Sequence, residues 1–306
     1  MPTNSGMFTA LYAPGLRKLF FDKFNSLPTE YDKIANLVSS SRQYEEDRRV
    51  AGLGAMPEKT QGSSITYDDF IQGSTTVRYT HKTFAAGYRI TMEAQQDELY
   101  GVFKKINEAL AKGAHTTREV IFWNVFNNAF AAFTSSGTAG TGLDGLTLCS
   151  TAHTLVGGGT YANRPTVDTD LGIASLQAGI TAFERGVDER GLRELHVPRF
   201  VVIPPEQKWL AREILNSSYK PFTADNEINA IVQDDLQYMV SHYLTDTDAW
   251  FLTAAPGDHD LNYFQRMPLG FKEGDDFDTG DAKFRAWMRC SAGFSDWRGV
   301  YGSPGS

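Results

Sequence analysis

Cysteine is scarce: two residues in 306, Cys149 and Cys290, far apart and in no CxxC pair. That excludes a disulfide framework and fits two free thiols in a reducing compartment. No apolar run approaches the roughly 20 residues a membrane span requires, so no membrane partner is expected. The basic-then-apolar-then-small pattern of a signal peptide is missing. Histidine is sparse too. His81, His115, His153, His196, His242 and His259 show no HExxH helix and no Cys/His ligand spacing. The GDHD turn at residues 257–260 reads as a solvated loop. There is no GxSxG elbow, no Walker loop and no GxGxxG after a strand. The glycine-rich VGGGTYANRP does not open a helix in a βαβ unit, so it is not a phosphate cradle. No cofactor, metal or enzymatic activity is expected. Excess positive charge is absent as well: 29 Lys+Arg against 37 Asp+Glu give a net charge of −8. This argues against a dedicated nucleic-acid binder and leaves room for a local basic face.

What is present reads as a folded chain, 41% hydrophobic and 22% charged. Its length suits two domains or one large domain with insertions. The organising stretch is residues 92–133. Leu99, Phe103, Ile106 and Leu110 mark one helical face, and Ile121, Phe122, Val125, Phe126, Ala129, Phe130 and Phe133 mark a wider one. Unbroken, this helix would be about 60 Å long at ~1.5 Å per residue. The alternative is two helices meeting near Gly113, where Gly and the pair Thr116 and Thr117 weaken helix propensity.

Before it, residues 1–43 form an arm dense in Phe8, Leu11, Leu16, Leu19, Phe20, Phe21 and Phe24. Pro2, Pro14 and Pro28 argue against a long helix. So much apolar surface needs cover, from its own domain or from a neighbour. Residues 44–88 read as a long β-hairpin. YEEDRRV and the alternating TTVRYTH flank a Gly- and Pro-containing tip, and 84–90 continue in the same manner. An isolated hairpin is marginal in water and needs a surface to lie on.

After the helix, the linker TSSGTAGTGLDG leads into an α+β region. Its parts are a helix with Asp170 as N-cap, the buried strand RFVVIPP, the helix EQKWLAREIL, and strand-like INAIVQ, YMVSHYL and AWFLTAA. Near the end, alternation places Lys283, Arg285, Trp287 and Arg289 on one side of a strand and Phe284, Ala286, Met288 and Cys290 on the other. The basic side either faces something acidic or is neutralised by the preceding EGDDFDTGD. Cys149 and His153 lie close enough to raise a cysteine-dependent enzyme as a minor alternative. No base-orienting residue can be named for them, and a buried structural thiol is the expectation.

DGLTLCSTAHTL with its following Gly/Asn loop is similar to a segment of Mu-like head subunits of tailed bacteriophages. PRFVVIPPEQKWLAREIL, DTDAWFLTA and the closing RCSAGFSDWRGVYGS resemble the apical strand-then-helix and the last third of the same family. The order of parts agrees along nearly the whole chain, so it resembles a major capsid protein of the HK97-type fold. That resemblance implies an α+β fold with an N-terminal arm (1–43), an extended hairpin loop (44–88), a peripheral domain with spine helix and return strand (89–133 and 269–306), and an axial domain (134–268).

The resemblance further implies a structural subunit that self-assembles, as pentamers and hexamers, into an icosahedral head shell around packaged double-stranded DNA held non-specifically. Separate scaffolding protein, portal and decoration or head-completion proteins would be partners. The location would be the virion, after assembly in the host cytoplasm. Phe8, Leu11 and Phe20 of the arm, Arg48, Arg49 and Lys59 of the hairpin, and Lys283, Arg285 and Arg289 of the return strand would be contacts to neighbours or DNA. The chain departs from some relatives in lacking a long N-terminal scaffolding helix. No acceptor Asn or catalytic Glu matches Lys59, so crosslinking does not carry over. An encapsulin-like compartment shares the fold and is the alternative shell.

Overall fold

A computed structural model describes residues 6–91, 93–94, 97, 101–221, 227–276 and 279–306. The arm holds helix α1, Gly6–Ser26, with side chains described from residue 15 on. The proline spacing argues against a helix this long. Pro28 falls outside it, however, and Pro2 lies outside the described residues, so within Gly6–Ser26 only Pro14 removes a backbone hydrogen bond, a cost of roughly 3 kcal/mol. The half after Pro14 offsets that cost by burial. Phe20 and Phe24 join Ile90, Ala111, Phe271, Phe284 and Ala286 in one apolar cluster, with Leu16 and Phe21 packed against it. The Phe20 and Phe271 rings lie 4.8 Å apart.

Strand β1 (Asn36–Ser39) follows a short 3-10 turn. Strands β2 (Tyr44–Ala51) and β3 (Ile71–Thr80) form an antiparallel hairpin whose tip is residues 52–70. Strand β4 (Lys82–Ile90) does not continue that hairpin, as the alternation suggests it should. It leaves it and pairs with a strand near the end of the chain. Only His81 separates β3 from β4, too short a link for a reversing turn, so β4 runs on to a partner elsewhere.

The spine is one helix, α2 (Val102–Asn127), about 39 Å long at ~1.5 Å per residue. It is therefore shorter than 60 Å and unbroken at Gly113, and Leu99 lies outside the described residues. At Gly113 an added Cβ would meet nothing within 4 Å, so no neighbour forces a kink. Thr117 Oγ1 donates to the Gly113 carbonyl at 2.8 Å, which keeps its hydroxyl within the helix.

The α+β region contains β5 (His153–Thr154), β6 (Thr160–Tyr161), helix α3 (Ile173–Glu184), β7 (Phe200–Ile203), helix α4 (Lys208–Asn216), β8 (Gln237–Val240) and β9 (Trp250–Thr253). Two local expectations are corrected. Asp170 does not cap α3, which starts after Gly172; the Asp170 carbonyl accepts from Ser175 instead. INAIVQ runs into a 3-10 turn, Ala230–Asp234, instead of a strand, because the Asn229 side chain accepts the Ile231 N–H and closes a turn. The chain ends with β10 (Leu261–Asp275), β11 (Ala282–Phe294) and β12 (Val300–Ser303).

Two four-stranded sheets result. One has the order β1-β10-β11-β4, with β1 parallel to β10 and the rest antiparallel. The other has the order β12-β9-β7-β8, with β7 and β8 parallel. The second half of α2 is buried between them: Phe122, Trp123 and Phe126 share a cluster with Val202, Phe251, Cys290 and Phe294. Helices α3 and α4 cover the other face of the second sheet through Leu176, Ile180, Ile214, Val201, Trp250 and Leu252.

Candidate assembly surfaces

The hairpin is built to project. Its root is fixed by Tyr79 and Asp47, both bonded to the Ser295 hydroxyl, the first at 2.6 Å. Val77 and Tyr79 pack with Phe264. Beyond the root it carries large exposed apolar residues. Met56 is 98% exposed and Tyr67 89%, and Leu53, Ile65 and Phe70 are also bare. Lys59 sits exposed in this tip, and Arg48 is exposed on β2.

Arg49, expected to meet a neighbour or DNA, is buried instead. Its guanidinium meets Glu189 at 3.0 and 2.8 Å and donates to the Thr154 carbonyl. Burial opposes the charge on Glu189. The hydrogen bonds from Arg49 and the Val156 N–H, with the charges of Arg298 and Arg49, still hold its carboxyl below the usual range. Phe20 is likewise taken up within the chain, in the cluster under α1. Both corrections have one cause: a side chain whose partners lie in its own fold has nothing left to offer another copy. Phe8 and Leu11 fall in α1 where side chains lie outside the described residues.

The basic stripe on β11 is as the alternation predicts, exposed or half-exposed at Lys283, Arg285, Trp287 and Arg289 and buried between. Arg285 lies 5.3 Å from the Trp287 ring centre. Register pairs Lys283 with Arg89 and Arg285 with Gly87, so β4 adds another cation to this face. Neutralisation by the acidic run is partial: Lys283 pairs with Asp276, and Arg89 lies 3.4 Å from Asp281. Arg289 donates to the His81 carbonyl at 3.2 Å.

The thiol and imidazole of the enzyme alternative are both committed elsewhere. Cys149 is buried in the core and burial raises its pKa, which suppresses the thiolate. His153 uses Nδ1 on Asp144 at 2.5 Å and Nε2 on the Asn163 side-chain oxygen Oδ1 at 2.9 Å, and stacks on Trp297 at 4.3 Å. Burial pushes the Asp144 carboxyl up, but His153 and the Leu146 N–H win and hold it low. This is a structural brace joining the start of the α+β region to the residues after β11. Among the described residues no group of three or more His, Cys, Asp or Glu is placed to hold a metal ion, and no helix is long and apolar enough to cross a membrane.

Sequence reading misses Glu119. It is fully buried on α2 and accepts from Glu30 N at 2.9 Å, Tyr31 N at 3.2 Å and Trp123 Nε1 at 3.0 Å. Burial drives its pKa up to about 7 against these hydrogen bonds. It pins the chain where the arm crosses the spine. The signal was an acid at helical spacing from Phe122 and Phe126, inside an otherwise apolar face.

A model of a family described as phage capsid protein matches residues 74–303. The chain belongs to that family. It is a structural subunit of a phage capsid shell, and its place is the virion capsid. The match favours the head shell over an encapsulin-like compartment and does not single out the Mu-like group.

Solved structures agree on the HK97-like fold. The capsid subunit of the native GTA particle is 11% identical, with 90% of each chain covered and a TM-score of 0.57. The virus-like particle of Pyrococcus furiosus is 9% identical over 95% of this chain and 98% of that one, at 0.53. The bacteriophage JBD30 procapsid is 15% identical over 98% of this chain and 76% of that one, at 0.51. At such identities the likeness shows the fold alone. No curated protein matches the chain.

Proposed function

We propose that the capsid subunit joins its copies through the hairpin and the arm, as pentamers and hexamers of an icosahedral shell. The observation that carries this is the hairpin: a two-stranded ribbon with Leu53, Met56, Ile65, Tyr67 and Phe70 bare at its end. Such a ribbon is marginal alone, and covering those side chains on another copy is the favourable way to bury them.

The same reading divides the chain into an arm (1–43), a hairpin loop (44–88), a peripheral domain (89–133 and 269–306) and an axial domain (134–268). Phe8, Leu11, Arg48 and Lys59 are its contacts to neighbours. The face with Lys283, Arg285 and Arg289 meets packaged DNA or an acidic segment of a neighbour. The net charge of −8 suits a shell that holds DNA without gripping it. Scaffolding, portal and decoration or head-completion proteins are the further partners, and the subunit has no catalytic role.

The test is a chain in which residues 52–70 are replaced by a two-residue turn. It should keep the melting temperature of the unassembled subunit and form no closed particles in negative-stain electron microscopy. Normal closed shells from this chain would overturn the reading.

A further inference from the structure

The hairpin's pairing is interrupted where it is held. Pairing between β2 and β3 slips at Arg49: Arg48 faces Thr76, while Val50 faces Gln72. The extra residues on β3 make a β-bulge, the device that turns and twists a ribbon. Gly73 lies inside it, where an added Cβ would stand 2.8 Å from the Arg49 Cβ, so the bulge depends on a missing side chain.

At this bulge the loop between α3 and β7 takes hold. Glu189 binds Arg49 through both carboxylate oxygens. Arg190 reaches past the bulge to the tip side, donating to the Gly52 carbonyl at 3.0 Å, the Asp69 carbonyl at 2.7 Å and the Asp68 carboxylate at 3.3 Å. The two residues thus hold β2 at Arg49 and both ends of the tip, at Gly52 on one side and at Asp68 and Asp69 on the other.

The gripping loop is rigid in turn. Arg298, itself buried, donates to the Val187 carbonyl at 2.6 Å and lies 3.2 Å from Glu189 and 2.6 Å from Asp296. Asp188 accepts the Arg190 and Leu192 N–H groups at 2.8 and 2.7 Å. The hairpin's direction is therefore tied, through two adjacent residues, to the same body that carries the second sheet.

We propose that Glu189 and Arg190 are positioning residues for assembly: by clamping the hairpin at its bulge and just beyond it, on the tip side, they set the angle at which it leaves its own subunit, and with it the diameter of the closed particle. The inference rests on the reading that the hairpin reaches a neighbour.

The test uses the full chain with spin labels on M56C and V167C, both exposed positions, while Cys149 and Cys290 are buried and leave labelling specific. Pulsed electron–electron distances in the unassembled subunit should be narrowly distributed in the parent. They should broaden in E189Q and in R190A. The unlabelled R190A subunit should keep the parent's melting temperature and lose the single particle diameter in electron microscopy. Arg190 serves three acceptors from one planar group, so R190K, with one ammonium, should not restore either property.

E189Q leaves Arg49 and Arg298 without their shared carboxylate and can fail to fold; R190A touches only surface hydrogen bonds and decides the matter in that case. An unchanged distance distribution in R190A overturns the clamp. A broadened distribution with particles of the parent diameter overturns the link from hairpin angle to size. Normal shells from the chain lacking residues 52–70 would instead defeat the underlying reading, whatever R190A shows.

Discussion

Phe126→Ala should be among the most damaging truncations in this subunit. The ring is buried at the centre of the molecule, with Phe122 at 5.9 Å and Trp123 at 5.3 Å on its own helix and Phe251 of β9 edge-on at 5.1 Å. It thereby joins the spine to the second sheet. Removing a buried Phe ring costs about 3–5 kcal/mol, from lost transfer energy and the cavity left behind. The higher end is expected here, because aromatic rings on two elements cannot both collapse into the gap. Whole-domain stabilities are about 5–15 kcal/mol, so the variant should survive as a weakened subunit. Phe126→Asp adds a desolvated carboxylate at several kcal/mol and should leave little folded protein. The assay is equilibrium urea unfolding of the dissociated subunit, followed by tryptophan fluorescence. A loss below about 1 kcal/mol, the ordinary size of a point-mutation effect, would show that the second half of the spine is not the core that joins the two sheets.

Gly87→Ala should cost about 1–3 kcal/mol, since overpacking forces backbone to move; its Cβ would stand 2.4 Å from the Phe284 carbonyl oxygen on β11. An unchanged urea midpoint would mean the β4–β11 pairing is looser than the register implies. Glu119 titrates near pH 7 when folded, above its ordinary value, because it is buried. Its stabilising contribution is therefore full below about pH 4.5 and is lost as pH rises through 7, a change of up to about 3 kcal/mol. Burial lowers the pKa of neighbouring His115, which acts in the opposite sense by losing stability as pH falls below 6.5. Comparing parent with Glu119→Gln at each pH isolates the carboxyl: the parent's advantage should shrink from pH 5 to pH 8, and parallel curves would refute it. Arg285→Ala with Arg289→Ala should flatten the salt dependence of duplex DNA binding by roughly one unit of log–log slope for each arginine–phosphate pairing removed. The unfolding midpoint should hardly move. An unchanged slope would assign that face to a protein neighbour.

Periodic parts of the fold were legible in the sequence and paired parts were not. The alternation from Lys283 to Cys290 marks the exposed and buried sides of β11 residue by residue, because a strand's side-chain period is fixed by its backbone. The apolar spacing of Phe122 and Phe126 likewise marks the buried half of α2. Proline misleads at α1, where burial of Phe20 and Phe24 outweighs the penalty at Pro14. The fate of β4 is hidden because alternation says that a strand exists and not which strand it pairs with; its partner lies some two hundred residues on. The same distance hides the hairpin clamp. Arg49 and Glu189 are 140 residues apart, and a charged residue in a charged run carries no mark of its future burial.

The central claim is that this chain closes into a shell with copies of itself. The direct measurement is negative-stain electron microscopy of the purified chain after size exclusion, with mass by light scattering, alone and with scaffolding protein supplied. Closed particles, or free pentamers and hexamers that close when scaffolding protein is added, are predicted. A stable dimer with no larger species, at high concentration and with scaffolding protein present, would contradict the account.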